Sequence, residues 1–185
     1  MSATCERCGG TRHIKEREVW VQCSCVRKER LEAFNSTSGL GDLLNHGGWL
    51  NLNGGAVEAL KRLDRSFSKA LIVYGGEPAI RFRIAALMLQ KFVVDRPKFF
   101  KTSLRALIDS KFTRNSFLLT ESSRVDMLWL QRDFDRPHAW NESVFFDVMG
   151  DRADKFTVVT TPSNVEVHGL FPIAIVNAGK ISCGH

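Results

Sequence analysis

Four cysteines near the amino terminus carry the plainest chemistry in the chain. Cys5 and Cys8 form a Cys-x-x-Cys pair followed by Gly9-Gly10. After fourteen residues between Cys8 and Cys23, Cys23-Ser24-Cys25 forms a second pair. A Cys-x-x-Cys turn aims two sulfurs at one metal, and a second pair on a hairpin completes a tetrahedron of thiolates. Thr11–Lys15 and Glu18–Gln22 alternate in the manner of two short strands, which would supply that hairpin. His13 is an alternative ligand in place of one thiolate. Four protein ligands leave no open position, so the site expected is one structural Zn2+. So small a module lacks a core of its own, and metal binding would supply its folding free energy. Cys183, near the carboxyl end, reads as a bystander.

A second group of residues has the frame of a phosphate site without its chemistry. Leu71–Tyr74 reads as a buried strand, Gly75-Gly76-Glu77-Pro78 as a loop, and Ile80–Val94 as a helix with apolar residues at helical spacing. That is the layout of a P-loop, whose pattern is Gly, four residues, Gly, Lys and Ser or Thr. With Gly75 as the first glycine, Ile80 stands at the second, Arg81 at the lysine and Phe82 at the hydroxyl. A β-branched Ile disfavours the conformation often needed at the second glycine. Arg81 keeps the charge but not the compact ammonium, and Phe82 offers magnesium no oxygen.

The partner motif is altered too. In P-loop ATPases an apolar strand ends in acidic residues that hold magnesium and polarise water. Here Val125–Leu130 runs into Gln131-Arg132-Asp133. If Gln131 and Arg132 occupy the acidic positions, an amide and a cation replace two carboxylates. Asp133 or Asp135 could substitute only from displaced positions. Neither ATP nor Mg2+ is therefore expected as a cofactor, and a pseudo-ATPase is the expectation. The five histidines show no metal-ligand spacing, and nothing else in the chain suggests catalysis by another route.

The elements that must position these residues follow a simple order. After the cysteines, Val26–Phe34 reads as a charged helix and Asn35-Ser36-Thr37-Ser38-Gly39 as a linker. Gly41–Asn53 reads as an irregular docking segment and Ala56–Leu63 as an amphipathic helix. Strands are expected at Lys69–Tyr74, Pro97–Lys101, Val125–Leu130, Lys155–Thr161 and Ile173–Val176. Helices are expected at Ile80–Val94, at Leu104–Phe112 capped by Ser103, and at about His138–Met149. Strands alternating with helices imply an α/β domain of three layers with a mostly parallel sheet of about five strands. The divisions expected are 1–34 for the zinc module and basic helix, 35–55 for the linker and docking segment, and 56–185 for the degenerate P-loop domain.

Composition bounds the surroundings. A 44% apolar fraction over 185 residues supports a real core. No run of 18 apolar residues exists, and Met1–Arg7 carries no apolar signal segment, so a cytoplasmic location away from membranes is expected. Cysteines there act as thiols or ligands rather than disulfides. The net charge of +6 favours nucleic acid or an acidic protein surface. Arg7, Arg12, Lys15, Arg17, Arg27, Lys28 and Arg30 are candidate contacts, with Trp20 as a stacking face.

The order of parts resembles the DnaC/DnaI-type replicative helicase loaders and the related transposition helper ATPases, including phage-encoded versions. The likeness rests on the Cys5-x-x-Cys8-Gly9-Gly10-Thr11 knuckle, the Cys23-x-Cys25 pair, the basic helix and the P-loop-like frame. Arg124–Leu130 is similar to the strand before that family's catalytic Asp-Glu. Phe156–Asn164 is similar to its sensor strand, with Asn164 or Thr161 near the sensor position. The resemblance implies an AAA+-like domain and an N-terminal module that engages a replicative helicase. Ile80, Arg81, Phe82, Gln131 and Arg132 depart from the family's nucleotide chemistry. The short stretch from Asn164 to Pro172 leaves little room for an arginine-finger helix, and no helical lid follows. The reading implied is a non-catalytic loader-like protein that binds a replicative helicase or its loader and delivers or blocks it. The alternative is a zinc-containing accessory protein that binds single-stranded nucleic acid.

Overall fold

The computed structural model describes residues 5–38, 70–93, 98–132, 139–163 and 179–183. The docking segment, the helix at 56–63, the strand at 173–176, Asn164, Asp133 and Asp135 lie outside them.

The amino-terminal hairpin pairs β1 (His13–Glu16) with β2 (Val19–Gln22), antiparallel, His13 opposite Gln22 and Glu16 opposite Val19. Its two-residue turn is Arg17-Glu18, and both residues have positive φ, 47° and 71°. A tight hairpin needs that geometry, and Asn-Gly normally supplies it. Helix α1 (Ser24–Ser38) follows directly.

The α/β domain has strands β3 (Ala70–Tyr74), β4 (Phe99–Ser103), β5 (Met127–Gln131), β6 (Phe156–Thr161) and β7 (Gly179–Ser182). They form one sheet in the order β4-β5-β6-β3-β7, with every neighbouring pair parallel. The helices are α2 (Pro78–Val93), α3 (Leu104–Phe112), α4 (Phe117–Arg124) and α5 (Ala139–Asp151). The central strands β3, β5 and β6 are near-continuous runs of buried apolar or β-branched residues because both faces are covered. Alternate residues enter opposite cores. Leu71, Val73, Met127, Trp129 and Val158 pack with Ile84, Leu87 and Met88 of α2 on one face. Ala70, Ile72, Leu128, Leu130 and Val159 pack with Leu104 and Leu107 of α3 and Phe145 and Val148 of α5 on the other. The three layers and parallel sheet expected from the sequence are present. Ser103 caps α3 as expected, its hydroxyl accepting from the Ala106 N–H at 3.1 Å.

The linker reading is corrected at residues 35–38, which form the last turn of α1. Poor helix formers are held there because Phe34, Asn35 and Ser38 are buried against the α/β domain. Phe34 meets Phe99 edge-on with centroids 4.9 Å apart. The Gln90 amide donates to Asn35 Oδ1 at 2.9 Å, and Lys101 Nζ donates to the Ser38 carbonyl at 2.7 Å. A cation at a helix carboxyl end also suits the helix dipole.

Arg152 ties the opposite end of the sheet together. It is almost fully buried, and its guanidinium donates to the carbonyls of Ser122, Val125 and Phe156 and to Thr157 Oγ1. Burial lowers its pKa to about 10, against the pull of Asp154 and Asp126, so it stays cationic at neutral pH. Arg152→Ala would strand several buried acceptors at once, and we expect a loss of about 3 kcal/mol in urea-induced unfolding.

Candidate functional site

The four amino-terminal sulfurs converge. Gly9 and Gly10 adopt positive φ, 55° and 87°, which bends the chain after Cys8. The Gly9 N–H donates to the Cys5 carbonyl at 2.8 Å, and the Thr11 N–H to the Cys8 carbonyl at 3.0 Å. Cys23 joins the turn through its N–H on the Arg12 carbonyl at 2.9 Å, and Cys25 lies in the first turn of α1. Cys5 Sγ stands 3.8 Å from Cys23 Sγ, and Cys8 Sγ 3.7 Å from Cys25 Sγ; all four lie within 4.8 Å of one another. A tetrahedron with Zn–S bonds of about 2.3 Å needs sulfurs about 3.8 Å apart. The four cysteines are thus positioned to bind a metal ion, and the donor set and spacing fit zinc. His13 stays outside the cluster, its exposed ring Nδ1 3.3 Å from the Thr11 carbonyl.

The thiols differ in acidity. The Cys25 N–H leads the groups that lower Cys23 to about 7. Burial, with thiol partners adding to it, pushes Cys25 up to about 12. A bound divalent cation must displace protons from these thiols.

The candidate contact residues do not form one basic patch. Arg7 pairs with Glu16 at 2.9 Å, Arg12 with Glu29, Lys15 with Glu18 at 3.3 Å and Lys28 with Glu32 at 3.8 Å. Arg30 donates to Gln22 Oε1 at 3.3 Å, while Arg17 sits in the hairpin turn and Arg27 is exposed on α1. The Arg12–Glu29 pair joins the hairpin to α1 and raises the Arg12 pKa, the side-chain hydrogen bond being the main cause. Exposed pairs of this kind add little stability, but they intersperse the signs of charge. Trp20 and Val19 remain exposed, at 67% and 61%.

The P-loop-like crevice lies at the carboxyl ends of β3, β5 and β6, where open α/β sheets hold their ligands. Gly75 and Gly76 both take positive φ, 75° and 56°, and α2 already begins at Pro78. The loop is therefore short, and Ile80, Arg81 and Phe82 sit inside the helix. Arg81 turns back: its guanidinium donates to the Gly75 carbonyl at 2.9 Å and to the Gly76 carbonyl. It is 7% exposed, and its Nε has no hydrogen-bond partner among the described residues. The loop thus turns carbonyl oxygens toward the cation, whereas a phosphate cradle presents N–H groups. The Gly75 N–H is taken by the Pro162 carbonyl at 3.0 Å, and those of Ile80 and Arg81 by the Glu77 carbonyl. Phe82 packs edge-on against Trp129, with centroids 5.8 Å apart.

Gln131 ends β5, in register with Ser103 and Thr160. Arg132 is buried behind it; its guanidinium donates to Thr161 Oγ1 at 3.1 Å and reaches Glu142 at 3.5 Å. Glu142 and Lys101 are partners that local patterning could not nominate. Cys183, read as a bystander, places its N–H on the Tyr74 carbonyl at 2.8 Å. Burial pushes its thiol up to about 11 against the opposing charge of Arg81.

The architecture is a three-layer α/β fold around a five-stranded parallel sheet, with a four-cysteine module before it. Searches of family models and of curated proteins find no match. Among solved structures the chain is similar to AMPPCP-bound DnaA from Aquifex aeolicus, at 13% identity and a TM-score of 0.50. It is also similar to a DNA replication initiation factor, at 15% identity and a TM-score of 0.50. Each match covers 69% of this chain and 43% of the other. At such identities the likeness concerns the fold. Among the described residues no helix is long and apolar enough to cross a membrane.

Because protons and metal compete for the same sulfurs, zinc affinity should fall as pH is lowered from about 8 to about 6. A chelator-competition titration at both pH values checks this, and affinity independent of pH would contradict it.

Proposed function

We propose that this chain is a non-catalytic, helicase-loader-like DNA replication protein. It binds a replicative helicase or that helicase's loader through the zinc-stapled module, and so delivers or blocks it. The observation that carries this reading is the occupied crevice. Arg81 fills its own loop, Phe82 replaces a metal-binding hydroxyl and Arg132 occupies the region expected of a catalytic carboxylate. The fold shared with DnaA supports a replication context, and the resemblance of the amino-terminal order of parts to the helicase loaders supports the partner.

The module supports a protein partner over nucleic acid. Between residues 5 and 38 seven side chains are basic and five acidic. Four thiolates around a divalent cation add two negative charges, so the loaded module is close to neutral. Phosphate contact would instead require unpaired positive charge. Val19 and Trp20 offer what an apolar protein pocket takes, and exposed Trp is a common interface anchor.

Two outcomes are expected. A fluorescent ATP analogue with magnesium should show no saturable binding; micromolar affinity would overturn the pseudo-ATPase reading. Immobilised full chain should retain the host's replicative helicase or loader, and Trp20→Ala should weaken retention about tenfold or more. Retention of neither, together with salt-sensitive binding of single-stranded DNA lost on reversing Arg27, Lys28 and Arg30, would favour the nucleic-acid alternative.

A further inference from the structure

Helix α1 belongs to two structures at once. Its first turn holds Cys25 of the sulfur cluster, and Val26 is buried beside it. Its last two turns belong to the α/β domain. Leu31 and Phe34 join the core formed by α2 and the sheet, Asn35 accepts from Gln90 and the Ser38 carbonyl accepts from Lys101. No flexible joint separates the two ends, since the helix is continuous from Ser24 to Ser38.

That helix has little reason to persist alone. Helices under about 12–15 residues are marginal in water even with favourable composition. Asn35, Ser36, Thr37 and Ser38 are poor formers. The hydroxyls of Ser36 and Thr37 bond back to the Ala33 carbonyl, and that of Ser38 to the Asn35 carbonyl, a habit that competes with helix rather than reinforcing it. The helix is therefore held at its ends. At the amino end the hold comes from Cys25 and the three other sulfurs, whose convergence a metal would fix. At the carboxyl end it comes from Phe34, Gln90 and Lys101. Helix formation is cooperative, so loosening one end weakens the other.

We propose that metal occupancy of the Cys5, Cys8, Cys23 and Cys25 cluster governs the seating of α1 on the α/β domain, so that metal loss unlatches residues 31–38 from α2 and β4. The proposal rests on the assignment of a metal to these sulfurs and is independent of the helicase reading. Unlatching uncovers Val93 and Phe99, which with Phe34, Ala33, Thr37 and Arg30 line a shallow cavity of about 130 Å3 beside the helix. It also withdraws the Ser38 carbonyl from Lys101, whose Nζ stands 4.6 Å from the centre of the Trp129 ring beneath Phe82. The metal cluster is thereby linked physically to the filled crevice.

The test is hydrogen–deuterium exchange on the full chain, zinc-loaded and then chelator-treated, with metal content counted first by native mass spectrometry. A chain that takes up no zinc overturns the metal assignment, and the latch with it. With one zinc bound, removing it should speed exchange at residues 31–38 about tenfold or more, together with residues 5–30, while β5 and β6 keep their protection. Unchanged protection at 31–38 overturns the proposal. So does loss spreading through β5 and β6, because the metal would then hold the whole fold rather than one helix. Reciprocity supplies a second arm. Lys101→Met lies far from the sulfurs, yet it should speed zinc transfer to a chromogenic chelator several-fold; an unchanged rate overturns the linkage.

Discussion

A guanidinium that folds back onto the carbonyls of its own loop governs the character of this molecule. Arg81 stands where a P-loop places a lysine, but α2 already begins at Pro78, three residues before it, and the loop is short. A shorter loop cannot wrap an external anion, so Gly75 and Gly76 present carbonyl oxygens and the cation turns inward to meet them. The surrounding strand ends are then fastened to one another. Tyr74 is joined to Cys183 and Gly75 to Pro162 by backbone hydrogen bonds, and Arg132 is joined to Thr161 through its side chain. Burying a cation without a counter-charge is costly. Arg81 offsets that cost with carbonyl acceptors, while its Nε has no hydrogen-bond partner among the described residues. Such an arrangement fits a structural plug better than a site waiting for a ligand.

On the proposed reading, a crevice that takes no nucleotide has no phosphate-driven conformational change, and any switching falls to the amino-terminal half. In a nucleotide-driven protein the two states differ in what the phosphates touch. Here the bistable candidate is a helix stapled at one end by sulfur and at the other by apolar packing. Lys101 sits at the junction, half-buried, capping α1 and resting against Trp129. Burial lowers its pKa, yet its carbonyl partner and the aromatic ring both favour the charged form.

Much of the fold was readable from residue types because the strands are buried on both faces. Leu71–Tyr74, Met127–Leu130 and Phe156–Thr161 are near-continuous apolar or β-branched runs, and such runs have few alternatives in an α/β chain. The cysteine cluster was readable because metal geometry constrains spacing more tightly than packing does. Other features depend on partners far along the chain. Asn35-Ser36-Thr37-Ser38 has loop composition, and only Gln90 and Lys101, 55 and 63 residues away from Asn35 and Ser38, hold it helical. Phe117–Arg124 forms a helix that the sequence reading missed, because Thr120, Ser122 and Ser123 within eight residues mask its apolar face. The pairing of the candidate contacts Arg7 and Arg12 with Glu16 and Glu29 likewise depends on residues 9 and 17 positions away.

Those acidic neighbours shape how the module can find a partner. A protein that captures an anionic surface keeps its cations unpaired and clustered, so that the field steers the encounter. This module pairs Arg7, Arg12, Lys15 and Lys28 with glutamates, and thiolates around a metal would offset its remaining net charge. Its association would then be weakly steered and weakly salt-dependent, with affinity resting on contact. The hairpin tip suits that role. Arg17 and Glu18 hold a conformation that non-glycine residues adopt reluctantly, and this fixes the direction in which β2 presents Val19 and Trp20. A rigid aromatic loses little entropy on docking, so a strained turn beneath an exposed Trp20 pre-organises a small apolar anchor.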